Sequence, residues 1–259
     1  MSEPLLVCRD LTMRFGGLVA LDRLDLAVGH SEIIGLVGPN GSGKTTFFNV
    51  VTGLYKGSEG TVELGGRNLL RHTPQAISEA GVARTFQRSR LGLAQSVFDN
   101  IAVGLLRKLN LGLVSNVLFR RAWRLELDAV IDKARSLART FNPAIAERLF
   151  EPAGSFSMID RRRVEVCRAL ISEPRLLLLD EPSAGMTHEE TRRFMDDILA
   201  VRESIPGLSV VLVEHEMEVI RRISDRCVVL NFGRKIFEGS FDQLAASPEV
   251  QAAYLGDQT

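Results

Sequence analysis

The stretch Gly38-Pro39-Asn40-Gly41-Ser42-Gly43-Lys44-Thr45-Thr46 constrains the fold of this chain more than any other. It fits the spacing G-x4-G-K-[ST]. An apolar run from Ile33 to Val37 precedes it, and a helical pattern from Lys44 to Thr52, closed by Gly53, follows. The glycines let successive backbone N–H groups turn into one loop and surround phosphate oxygens. The N-terminus of the next helix adds a favourable field for the anion. In such a loop Lys44 reaches the β- and γ-phosphates of a nucleotide, and the Thr45 hydroxyl can ligate Mg2+. The competing reading is a glycine-rich turn with an accidental lysine. The strand before, the helix after and the complete spacing weigh against it.

A second piece of the same chemistry lies far downstream. Four leucines, 176–179, form a buried-strand pattern that runs into Asp180-Glu181-Pro182. Open α/β sheets place ligands at the carboxyl ends of their strands, where Asp180 falls. Asp180 is the candidate to bind Mg2+, through water, and Glu181 is the candidate general base for the attacking water. An acidic turn before a proline is the bland alternative, and the phosphate loop argues against it.

Further strand patterns fall at 5–15, 61–64, 82–86, 210–213 and 227–230, with Gly65-Gly66 as a turn. Strands alternating with helices point to an α/β fold with a mostly parallel sheet. From about Ser96 the pattern turns helical. Trp123, Leu127, Val130, Ala134, Leu137 and Phe141 recur at steps of four and three, one apolar face of a long helix that Asn142-Pro143 ends. The repeat is too short for a coiled-coil arm, so core packing is the favoured reading. The expected organisation is a nucleotide-binding core over 1–87 and 158–259, interrupted by a helical insert over about 88–157.

Composition sets limits on function. A chain of 259 residues with 45% hydrophobic content can bury a large core. Lys+Arg and Asp+Glu both number 32, so no broad electrostatic attraction to nucleic acid is expected. Cys8, Cys167 and Cys227 are far apart with no CxxC pair, and they read as reduced thiols of a cytosolic protein. The start lacks a basic segment followed by an apolar one, and no apolar run nears the roughly 18 residues that span a bilayer. Any membrane role is expected to run through a partner.

Taken together, GPNGSGKTT, TFQ at 85–87, LLLLDEP and VEH at 213–215 resemble the ATP-binding cassette ATPases. The resemblance implies a RecA-like core, an N-terminal antiparallel β-subdomain and an inserted helical subdomain. It implies that Gln87 links the Mg2+ site to membrane subunits, that His215 is a switch histidine touching the γ-phosphate, and that Phe15 stacks on adenine. FGGLVAL (15–21), RTFQRSRL (84–91), the long insert and AYLG (253–256) look like the ATPase subunits of branched-chain amino acid uptake systems. That implies ATP and Mg2+ as cofactors and a head-to-tail pair with a second cassette. It also implies two membrane-spanning permease subunits, a solute-binding protein acting indirectly, no nucleic acid, and a peripheral place on the cytoplasmic face of the inner membrane. An exporter ATPase of the lipopolysaccharide type, a soluble cassette ATPase and a non-hydrolysing clamp subunit are the alternatives.

The family carries a glycine-rich signature, LSGGQ or LSYGQ, that closes over ATP held by the partner cassette. Here that slot reads Phe156-Ser157-Met158-Ile159-Asp160. Ser157 is kept, Ile159 stands at the key glycine and Asp160 at the glutamine. A β-branched residue disfavours positive φ, and a carboxylate repels a triphosphate. The run Arg161-Arg162-Arg163 could offset part of that charge or be a solvated helix face. Thr187 stands where the family has Asp or Asn. The expectation is an asymmetric pair, with this chain's own ATP site intact and the site it closes for its partner impaired.

Overall fold

The structure, a computed structural model, describes residues 3–86, 91–105 and 120–255. Contacts divide the chain into two compact units. The first comprises Met1–Arg84, Arg175–Pro182 and Ile205–Thr259, and the second Thr85–Pro174 and Ser183–Ser204.

The first unit holds two sheets. Strands β1 (Leu6–Phe15), β2 (Leu18–Val28), β4 (Glu59–Leu64) and β5 (Arg67–Asn68) form an antiparallel sheet in the order β2-β1-β4-β5. Strands β3 (Ile33–Val37), β6 (Val82–Arg84), β7 (Leu176–Asp180), β8 (Ser209–Val213), β9 (Arg226–Asn231) and β10 (Arg234–Gly239) form the other, in the order β10-β9-β3-β8-β7-β6. All neighbours in this sheet are parallel except β9 and β10. Every residue of β3, β7 and β8 is buried. That explains why these strands read as unbroken apolar runs rather than alternating ones: a parallel sheet is covered on both faces. Helix α1 (Lys44–Val51) drives Phe47 and Phe48, both fully buried, into one core with Leu21, Leu24 and Leu26 of β2 and Leu36 of β3.

Strands β2 and β10 are among the elements that were not evident in the sequence. In β2, Leu24, Leu26 and Val28 alternate inward, but Leu21 and Leu24 break the period. The cause is an irregularity in the β1–β2 ladder, where Asp10 and Arg23 take φ of 47° and 48°. The Asp25 carboxylate accepts from Asp10 N–H at 2.8 Å, and Thr12 Oγ1 accepts from Arg23 N–H at 3.2 Å, so the bulge is held from both strands. Strand β10 is only partly buried and carries Arg234, Lys235 and Glu238, which mask its strand character. Strand β6 stops at Arg84, two residues before the expected end. Around this sheet lie α2 (Pro74–Glu79), α8 (Met217–Ile223), α9 (Phe241–Ala246) and α10 (Pro248–Leu255).

The second unit is helical over its described residues. It contains α3 (Val97–Ala102), α4 (Arg120–Phe141), α5 (Pro143–Glu147), α6 (Met158–Leu170) and α7 (His188–Ser204). Val130, Ala134, Ala138 and Phe141 are the buried face of α4, so core packing holds over its described side chains. Ala138 replaces the expected Leu137, which is half-buried; Trp123 lies outside the described side chains. Asn142 ends the helix and caps the next, its Oδ1 accepting from Ala144 N–H at 3.1 Å, with Pro143 at the first helical position. The expected return to the core at residue 158 differs from the observed division. Helix α6 packs on α3, α4 and α7, so both α6 and α7 group with the insert. All three cysteines are free and buried, and burial pushes the Cys227 thiol up to about 11.

Candidate nucleotide site

The phosphate loop joins β3 to α1. Gly38 has φ 147°, and a Cβ there would stand 2.1 Å from the Leu230 carbonyl oxygen. Gly43 caps α1 with φ 108°, and a Cβ there would stand 2.7 Å from the Ala20 carbonyl oxygen. Both positions therefore demand glycine for space as well as conformation. Lys44 is buried in the first turn of α1. Its Nζ donates to the Gly38 carbonyl at 2.6 Å, the Pro39 carbonyl at 2.9 Å and Ser42 Oγ at 3.4 Å. The loop thus wraps its own cation. No side chain caps α1, and its first turn carries no acidic residue. A helix start with uncapped N–H groups beside a buried ammonium fits a phosphate chain, the charge its donors lack. Burial pushes the Tyr254 phenol up, against an opposing influence of the Gly38 backbone.

Asp180 ends β7 with a side chain only 8% exposed. Its Oδ2 accepts from Arg84 Nη2 at 2.6 Å. The same guanidinium donates from Nη1 to Asn49 Oδ1 at 2.7 Å and lies 5.2 Å from the Phe48 ring centre. Thr45 and Asn49 are four residues apart on α1 and share a helical face. A threonine hydroxyl and a carboxylate are hard oxygen donors suited to Mg2+, which takes its remaining ligands from water and phosphate. The donor set therefore fits a metal that arrives with a nucleotide.

Glu181 follows in the left-handed region at φ 46°, held by its N–H to the Val213 carbonyl at 2.9 Å. That conformation costs a non-glycine residue about 1–3 kcal/mol, which the surrounding structure must hold. Its Oε1 lies 2.7 Å from His215 Nε2. The structure thus brings Glu181 and His215 together across the ends of β7 and β8. Phe15 is 42% exposed and meets Tyr55 edge-to-face with ring centres 5.2 Å apart, which leaves its ring free to stack. Gln87 lies outside the described residues. Sequence reasoning missed Arg84, Asn49 and Tyr55. For Arg84 the available signal was a cation ending an otherwise apolar short strand.

In the second unit, the signature slot opens α6. Ser157 is its N-cap: the hydroxyl accepts from Asp160 N–H at 3.3 Å and donates to Asp160 Oδ2 at 2.8 Å. Asp160 Oδ1 also accepts from Asn142 Nδ2 at 3.0 Å and Arg163 Nη1 at 2.8 Å. Burial raises the Asp160 pKa, but these three partners outweigh it and hold the carboxyl below its ordinary value. Ile159 lies inside the helix and is buried, so the expected conflict with a positive φ does not arise. Nor is the arginine run a solvated face. Arg162 pairs with Glu165 at 2.9 Å, buried on both sides, and Arg163 bridges Asp160 and Asp197. Thr187 and Glu190 close a reciprocal capping box at the start of α7. Ser157, Asp160 and Thr187 are thus each tied into local structure.

Because Asp160 has a folded pKa below its unfolded one, its contribution to stability is present above the ordinary carboxylate range. It is lost as pH falls through the lowered folded value. Thermal unfolding of Asp160→Asn is expected to lie below that of the wild type at pH 7, with the gap closing in acid. A gap independent of pH would contradict this account of the slot.

A family model described as ABC transporter matches residues 21–184. The chain is 37% identical over 257 residues to the high-affinity branched-chain amino acid transport ATP-binding protein LivG of Salmonella typhimurium, covering 99% of this chain and 100% of that one. It is 35% identical to BraF, the protein of the same description from Pseudomonas aeruginosa, with 99% and 100% covered. Among solved structures, the ADP conformation of an ATP-binding cassette of an ABC transporter matches with TM-score 0.84 and 25% identity, covering 98% of this chain and 100% of that one. The chain belongs to the ABC transporter family. Within it, the chain is a nucleotide-binding ATPase cassette, with the mixed α/β fold of that class. Among the described residues no helix is long and apolar enough to cross a membrane.

Proposed function

We propose that this chain binds Mg-ATP at its own phosphate loop and hydrolyses it as one cassette of a mixed pair, driving import of branched-chain amino acids or related small solutes. The observation that carries this reading is a contrast. The loop, Asp180, Glu181 and His215 have intact geometry, whereas Ser157 and Asp160 in the signature slot are bonded to each other. The relatives named for branched-chain amino acid transport support the solute class and the membrane setting.

Lys44 and the α1 amides hold the phosphates, and Phe15 receives the adenine. Bound Mg2+ would supply charge neutralisation at the β- and γ-phosphates, held by the Thr45 hydroxyl and, through water, by Asp180 and Gln87. Glu181 takes the proton of the attacking water through its carboxylate. His215 Nε2 fixes the position of Glu181 Oε1, and its half-exposed ring can swing to a γ-phosphate. Two permease subunits anchor the pair at the cytoplasmic face of the membrane, with a solute-binding protein upstream. Leu93, Val103 and Phe150 are exposed apolar side chains of the insert, the kind a permease helix would cover.

The slot reading also defines the partner: a different cassette with an ordinary signature. Steady-state hydrolysis by this chain alone is expected to be low. Adding a cassette with an intact signature should raise it severalfold, whereas a second portion of this chain should not. Full activity of the chain alone, rising with its own concentration, would replace the mixed pair with a homodimer.

A further inference from the structure

Arg84 lies outside every motif that defines the site, yet its guanidinium joins both halves of it. One arm, Nη2, holds Asp180 Oδ2 at 2.6 Å, and the other, Nη1, holds Asn49 Oδ1 at 2.7 Å. Asn49 stands one turn beyond Thr45 on the same face of α1. Both charged side chains are nearly excluded from solvent, at 6% and 8% exposure. The face of Phe48 backs the guanidinium. We propose that Arg84 is a positioning residue for the metal half of the site, fixing the Asp180 carboxylate and the Thr45-bearing face of α1 to each other. This inference rests on the reading of Thr45 and Asp180 as the metal-facing residues.

A carboxylate pinned at one oxygen by a charge-assisted bond has its other oxygen aimed. Asp180 Oδ1 accepts no hydrogen bond from the described residues, so the pinned geometry presents it for a water of the metal. Outer-shell partners of metal-facing carboxylates set ligand orientation and through it metal affinity. Finally, only a planar fork with separate donors can serve the helix and the strand end together. A lysine ammonium keeps the charge but lacks that geometry.

The test is titration of the whole chain with a fluorescent ATP analogue, once with Mg2+ and once with EDTA. The quantity read is the factor by which Mg2+ tightens binding. Arg84→Lys is expected to cut that factor by about tenfold, as outer-shell substitutions do, while affinity in EDTA stays close to wild type. Asn49→Ala, which keeps the buried ion pair, should cut it in the same direction by less, and it preserves the test if the lysine variant folds poorly. An unchanged factor, or equal weakening with and without Mg2+, would make Arg84 merely structural. Asp180→Asn separates the two readings. If it removes the factor and Arg84→Lys does not, only this inference fails. If it too leaves the factor intact, the metal assignment itself is wrong.

Discussion

Glu181→Gln is expected to abolish steady-state hydrolysis by the mixed pair while leaving ATP binding in place. The expected loss is about 10^2- to 10^4-fold, the range over which a positioned base contributes to proton transfer. Glutamine keeps the size of the side chain and a hydrogen-bonding oxygen for His215, but it cannot take a proton from water. With nucleotide affinity assigned to Lys44 and the start of α1, binding should stay within a few-fold of the wild type. Activity per pair, measured beside binding of a labelled nucleotide, checks both halves. Retained hydrolysis would move the base away from Glu181, and a parallel loss of binding would mean that the variant disturbs the strand end.

The second large effect is expected at Gly38. A methyl group there meets the Leu230 carbonyl oxygen at 2.1 Å, in a backbone conformation that L side chains rarely adopt. The strained φ alone costs about 1–3 kcal/mol. The clash is with the backbone of β9, so no side-chain rotation relieves it. Gly38→Ala should therefore weaken ATP binding by more than tenfold, which corresponds to more than about 1.4 kcal/mol, and should lower the melting temperature. Gly41→Ala makes a useful comparison, because a Cβ at Gly41 meets nothing within 4 Å. Its φ of 75° still strains an alanine, but without the clash its effect should be clearly smaller. Equal effects at the two positions would show that the fit against Leu230 is not what Gly38 provides.

Much of the nucleotide half of the molecule was legible because its chemistry fixes residue types at short range. A loop that approaches phosphate needs glycines at set spacing, and a strand buried on both faces needs an unbroken apolar run. Those demands leave marks within a few residues, as in 38–46 and 176–181. The long helix ending at Phe141 was legible for a similar reason, since one apolar stripe and one Asn-Pro stop define it. What was hidden depends on distant partners. The bulge at Asp10 and Arg23 exists because two strands accommodate it jointly, and it erased the period that marks β2. Arg84 is unremarkable until β6 sets it beside β7 and α1. The slot at 156–160 shows a limit of another kind. Its residues were read by what they replace, which predicted strain at Ile159 and a repulsive charge at Asp160 that the arginine run could offset in part. In the structure Ile159 is an ordinary buried helical residue, and Asp160 is neutralised by Arg163, which lies one turn further along α6. At the start of α6 the structure holds a hydroxyl and a carboxylate committed to each other rather than a distorted helix start.

Hydrolysis is expected at this chain's own phosphate loop and not at the one its signature closes. The measurement that bears on it most directly is vanadate trapping of labelled nucleotide in a mixed pair, with Lys44→Ala placed in this chain or the corresponding lysine changed in the partner. Trapping that disappears when Lys44 is removed here, and largely survives the change in the partner, is the predicted result. Trapping that survives Lys44→Ala in this chain would contradict the account.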